Sequence, residues 1–123
     1  MTTTLLVCET CGYDADQPDA RRPGDALAAL LEHAVAEQSD EPDHSPSIQR
    51  FRCLMACKRS CVVQVRAPGK MSYVLGDFEP GAAAVDALLD YCRKHSLSES
   101  GQVEYRAWPD GIKGRFVARI PPL

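Results

Sequence analysis

The sequence predicts an α/β fold, with a mixed sheet of four or more strands and two main helices. Three observations carry that expectation. Thr3 to Val7 is a β-branched and apolar run. Two stretches, Leu27 to Val35 and Val85 to Cys92, repeat apolar residues at helical spacing, and Val62 to Leu75 reads as strand, Pro-Gly turn, strand.

The 123 residues suffice for one domain that buries a core without covalent staples. A hydrophobic content of 45% fits a globular chain, and a formal charge of -3 argues against a general nucleic-acid binder. Met1 to Val7 lacks the basic start and long apolar run of a signal peptide. No segment approaches the roughly 18 consecutive apolar residues of a membrane span. The expectation is a cytoplasmic protein without membrane or nucleic-acid partners, in which clustered thiols serve as metal or redox groups more often than as bridges.

Taken in order, Thr3 to Val7 should be a buried strand that delivers Cys8 at its end. Gly12, Pro18 and several Asp make residues 9 to 22 an irregular loop. Pro23 suits the first turn of a helix and Asp25 complements its dipole. Leu27, Leu30, Leu31, Ala34 and Val35 then form one apolar face, leaving His33 solvated. Gln38 to Ser47, with Pro42, Pro46 and an acidic run, is a polar linker in which His44 is expected to be solvated.

Ser47 to Arg52 reads as a second strand releasing Cys53, as Val7 releases Cys8. If the two strands run parallel through a right-handed crossover, both thiol-bearing loops leave one sheet edge. Val62 to Val65 and Met71 to Leu75 flank the turn Ala67-Pro68-Gly69-Lys70. Pro80 opens a second helix whose stripe is Val85, Leu88, Leu89 and Cys92, with Cys92 a small buried hydrophobe. Arg93, Lys94 and His95 fall in its last turn, where cations complement the dipole, and His95 is expected to act as an electrostatic cap. Residues 1–100 are expected to form the main domain and residues 101–123 an extension. Its segments Val103 to Arg106 and Arg115 to Ile120 would pack on that domain or on a second subunit.

Chemistry concentrates in five of the six cysteines. Cys8-Glu9-Thr10-Cys11 and Cys53-Leu54-Met55-Ala56-Cys57 supply the four thiolates that an iron-sulfur cluster normally needs. Cys61 stands nearby as an alternative ligand. On a continuous helix Cys53 and Cys61 would be about 12 Å apart, too far for one small cluster to touch easily. Arg52, Lys58 and Arg59 would offset cysteinate charge. The preferred set is Cys8, Cys11, Cys53 and Cys57, with a 2Fe-2S centre as cofactor.

Two other readings stay open. One is a zinc-binding structural or interaction module, although Cys53 and Cys57 have three residues between them where zinc pairs favour two. The other is a thiol-disulfide protein using Cys8 and Cys11. It lacks the helix N-terminus that would activate the first thiol, because the loop after Gly12 runs on for some ten residues. No nucleophile, base and orienting group assemble into a catalytic constellation, so no enzyme activity is expected. Glu9 is expected to be an exposed loop carboxylate.

The order Cys53-Leu54-Met55-Ala56-Cys57, Val62-Val63-Gln64-Val65, Pro68-Gly69, Tyr73, Gly76 and Glu79-Pro80 resembles the thioredoxin-like 2Fe-2S ferredoxins. The resemblance implies a thioredoxin-like ferredoxin fold in which Cys53 and Cys57 bind one side of a two-iron cluster and the first loop completes it. It also implies one-electron transfer to a redox partner protein, and a homodimer. The chain departs from that family in the narrow gap between Cys8 and Cys11 and in the thiol of Cys61. More narrowly, Cys8-Glu9-Thr10-Cys11, Cys53 to Cys57, Gly69-Lys70 and Ala118 to Pro122 resemble a bacterial family of predicted metal-binding proteins. That resemblance implies an electron donor or metal-handling accessory in cobalamin or cobalt metabolism.

Overall fold

In this structure, a computed structural model, residues 3–9, 16, 22–37, 46–52 and 61–122 are described. The first strand, β1, is Thr4–Cys8, and Leu5 and Val7 are fully buried. Helix α1 (Pro23–Glu37) begins at the proline expected to start it. It returns the chain to β2 (Ser47–Phe51), which pairs parallel to β1. Val63–Arg66 forms β3, antiparallel to β1 on its other side, and Ser72–Leu75 forms β4, antiparallel to β3. Helix α2 is Ala82–Leu97, and β5 is Phe116–Ile120, antiparallel to β4. The sheet is therefore mixed, in the order β2-β1-β3-β4-β5.

The expected turn between β3 and β4 forms as its residues dictate. The Lys70 N–H donates to the Ala67 carbonyl at 3.2 Å, and Gly69 takes φ 73° at the position that demands a left-handed residue. Among the described residues no helix is long and apolar enough to cross a membrane.

Both helices contribute to one core on one sheet face. It holds Leu5 and Val7 of β1, Val63 and Val65 of β3, and Tyr73 and Leu75 of β4. Leu27, Ala28 and Leu31 of α1 and Val85, Leu88 and Cys92 of α2 pack into it. The α1 face is narrower than its apolar pattern, for Leu30 is 42% exposed at its margin while Ala28 is buried. Helix α2 is buried over a wider arc than its stripe, because the turn after Trp108 closes on it. A Cβ on Gly111 would lie 2.8 Å from Ala87, and Ile112 is fully buried.

Val103 to Arg106, whose composition would suit a strand, instead enters a 3-10 turn at Tyr105–Ala107, and Trp108 Nε1 donates to the Val103 carbonyl at 2.8 Å. Only the second half of the C-terminal region joins the sheet. His33 is exposed, as expected, and lies 3.1 Å from Glu37. The linker with His44 lies outside the described residues.

His95 departs from its expected role. Its side chain is fully buried and bridges two chain segments, with ring-nitrogen distances of 2.8 Å to Thr3 Oγ1 and 2.7 Å to the Met71 carbonyl. A carbonyl only accepts, so Nε2 carries the proton and donates to it, while the Thr3 hydroxyl donates to Nδ1. Burial, helped by the charge of Lys70, pushes the His95 pKa below its usual value despite the Met71 bond. The residue is a neutral bridge and not a cationic cap. The capping cation comes from outside the helix: Lys70 Nζ donates to the carbonyls of His95 and Ser96 at 3.2 and 2.7 Å.

Candidate metal centre

Because β1 and β2 are parallel, their C-terminal ends leave one sheet edge, and Cys8 pairs with Phe51 there. Beyond that pair, the Glu9 N–H donates to the Phe51 carbonyl at 3.0 Å. Antiparallel β3 begins at the same edge. The Cys8 N–H donates to the Val62 carbonyl at 3.0 Å, so Cys61 enters the sheet where Cys8 leaves it. Three chain segments thus meet at one edge, each next to a cysteine.

The thiols there are shielded from water. Cys8 and Cys61 are each 1% exposed. Cys8 packs with Val62 and Val74, whereas Cys61 belongs to the main core. The Cys61 N–H donates to the Phe78 carbonyl at 3.0 Å. Burial first, and the neighbouring Cys8 thiol second, push the Cys61 pKa up to about 11. Cys8 Sγ lies 3.9 Å from the carbonyl of Arg52, the residue that immediately precedes Cys53. Cys11, Cys53 and Cys57 lie outside the described residues, as do Lys58 and Arg59. Among the described residues no three metal-binding side chains converge.

Cys92 belongs elsewhere. It is fully buried in the core, where burial pushes its thiol up to about 12, as fits the small hydrophobe expected at this position.

Glu9 and Asp25, to which the sequence assigned other roles, gather at this edge with Arg50 and Glu32, which it did not single out. Arg50 on β2 reaches Glu32 at 2.7 Å and Asp25 of α1, and stands 3.7 Å from Glu9. Its hydrogen bonds to Glu32 and then Asp25 raise its already high pKa. Glu9, expected to be an exposed loop carboxylate, is partly exposed at this cluster. On the far side of Cys61, Arg115 donates to the Asp77 carbonyl and stacks over the Phe78 ring at 5.4 Å. Asp77 takes φ 65°, uncommon for a residue other than glycine, and the turn brings the Phe78 carbonyl to Cys61.

The family model described as "Protein of unknown function (DUF1636)" matches residues 5–122. The chain belongs to this family. No curated protein matches it. Among solved structures it is similar to a thioredoxin-like [2Fe-2S] ferredoxin from Aquifex aeolicus, with a TM-score of 0.63 and 17% sequence identity. The match covers 98% of this chain and 94% of that one. At this identity the likeness shows the fold. The DUF1636 chain thus has the thioredoxin-like ferredoxin architecture expected from its sequence, an α/β fold with a five-stranded mixed sheet and two helices.

A metal centre suits the described part of this edge. Its donors are thiols, the type that selects iron-sulfur clusters and zinc. Burial penalises the free thiolate of Cys61, and a bound cation would offset that penalty.

Proposed function

We propose that this DUF1636 protein holds a 2Fe-2S cluster through Cys8, Cys11, Cys53 and Cys57 and serves as a one-electron carrier. The observation that carries the reading is the meeting of Cys8 with the Arg52 carbonyl at the edge where β1 and β2 end side by side. The chain enters Cys53 from that point. The fold shared with the thioredoxin-like [2Fe-2S] ferredoxin from Aquifex aeolicus adds to the support.

A two-iron cluster, when bound, supplies one-electron chemistry. The chain's own contribution is positional and dielectric. Strand hydrogen bonds fix the Cys8 backbone, Val62 and Val74 pack beside its thiol, and the Phe78 carbonyl holds the Cys61 backbone. Cys61 stands beside Cys8 as the alternative ligand. In this reading the protein turns over no substrate of its own and passes electrons to a partner protein. Service to cobalamin or cobalt metabolism, as electron donor or metal-handling accessory, rests on the sequence resemblance alone.

The test is an anaerobic preparation assayed for iron, acid-labile sulfide and zinc, with visible spectra before and after dithionite. The expected result is about two iron and two sulfide per chain with bleaching on reduction, as for a thiolate-held two-iron centre. Stoichiometric zinc in a colourless protein that resists cluster reconstitution would replace the proposal with a structural zinc module.

A further inference from the structure

The helix-side face of β5 borders a cleft of about 400 Å³, lined by Tyr73, Gln102, Val103, Trp108, Phe116 and Arg119 among others. Its volume falls in the range of small-ligand sites. The walls are fixed in place. The Trp108 indole is hydrogen-bonded to Val103, and its ring centroid lies 4.6 Å from that of Phe116, which meets Tyr73 edge-on at 5.4 Å.

Two polar groups meet in this aromatic setting. Tyr73 and Arg119 are cross-strand partners, so their side chains leave the same face of the sheet. Tyr73 is 7% exposed, and its hydroxyl, which has no protein hydrogen-bond partner among the described residues, keeps contact with solvent at the cleft. Arg119 has no carboxylate partner among the described residues. Glu104, the acidic residue next to Val103, is held by Arg106 at 2.7 Å. Arg119 acts on Tyr73 directly, since its charge opposes the rise that burial imposes on the Tyr73 pKa. A guanidinium and a phenolic O–H together suit a carboxylate, and the rings beside them suit an aromatic body.

We propose that this cleft binds a small aromatic carboxylate, its ring against Trp108 and Phe116 and its carboxylate on Arg119 and the Tyr73 hydroxyl. The site shares no residue with the cysteine edge and does not depend on what metal that edge holds.

The test uses the full chain as purified. Trp108 is the only tryptophan, so its emission and its indole N–H resonance report from the wall of the cleft. Benzoate is titrated against benzamide, which lacks the charge, and acetate, which lacks the ring. The expected result is a saturable change with benzoate at millimolar concentration or below, at least tenfold weaker with either control. Arg119→Gln, at an exposed position, should keep its circular dichroism spectrum and weaken benzoate binding about tenfold, as loss of a charge-assisted pair does. Tyr73→Phe should weaken it less. Equal binding of benzoate and benzamide, unchanged binding in Arg119→Gln, or no saturable response would overturn the proposal. So would a Trp108 signal that follows protein concentration alone, which would mean that a second copy covers the cleft.

Discussion

At the end of the sheet where β1 begins, a buried imidazole has its ring nitrogens 2.8 Å from the Thr3 hydroxyl and 2.7 Å from the Met71 carbonyl. At the end where β1 finishes, burial and then the neighbouring Cys8 thiol raise the cost of ionising Cys61, and Cys8 Sγ meets the Arg52 carbonyl at 3.9 Å. The first end is internally satisfied, and its polar groups tie Thr3, β4 and α2 together. The second is held by backbone hydrogen bonds, while its side chains are soft donors suited to a cation. Burial alone does not distinguish structural polar groups from functional ones, and the quality of the bonds does.

The sharpest way to break this comparison is to remove one thiol at a time. Cys8→Ser, Cys53→Ser and Cys57→Ser should each abolish bound metal, read by elemental analysis of anaerobic protein. Full metal occupancy in any one of them would strike that residue from the site. At the opposite end, His95→Ala should cost about 3 kcal/mol in urea denaturation, since it leaves a cavity and two unpaired polar groups. Metal content should be unchanged. Loss of metal in this variant would show that the two ends are not independent.

Gly101→Ala should cost roughly 1–2 kcal/mol. Its φ is 82°, and an added Cβ would lie 2.9 Å from His95 Nε2 and from the Met71 backbone nitrogen. A thermal midpoint equal to the parent's would contradict the close packing of Gly101 against this bridge.

The pH dependence of stability sharpens the same point. Folding lowers the His95 pKa from the usual 6.5, so the unfolded chain takes up the proton first. The bridge therefore contributes fully above the unfolded pKa, and its contribution falls as pH drops below it. Denaturation midpoints measured downward from neutral pH should fall more steeply in the parent than in His95→Gln. Equal slopes would exclude His95 as the source. The smallest effect is expected at Arg50→Gln, at most about 1 kcal/mol for a partly exposed ion-pair cluster.

Much of this was legible in the sequence because it follows from local patterns. Pro23 marks the start of α1, Pro68-Gly69 makes the turn before β4, and Val85, Leu88, Leu89 and Cys92 are all buried. The parallel strand ends that bring Cys8 and the chain entering Cys53 to one edge were also readable, from matching strand-then-cysteine segments.

What escaped depends on long-range pairing. Cys61 was expected near the other thiols, but its burial in the main core beside Cys8 follows from β3 running antiparallel to β1, which no spacing encodes. Nor does a helix-end pattern tell that His95 turns inward to Thr3, 92 residues away in sequence. Val103 to Arg106 has strand-like composition, but the Trp108 indole takes the Val103 carbonyl and the chain turns instead.

On this proposal the edge where β1 and β2 end holds the metal, and Cys92 in the core does not. The most direct test is iron and sulfide per chain, measured side by side in anaerobic parent protein, Cys8→Ser and Cys92→Ser. The account predicts about two of each in the parent and in Cys92→Ser, and none in Cys8→Ser. Iron and sulfide retained in Cys8→Ser, or lost in a folded Cys92→Ser, would contradict it.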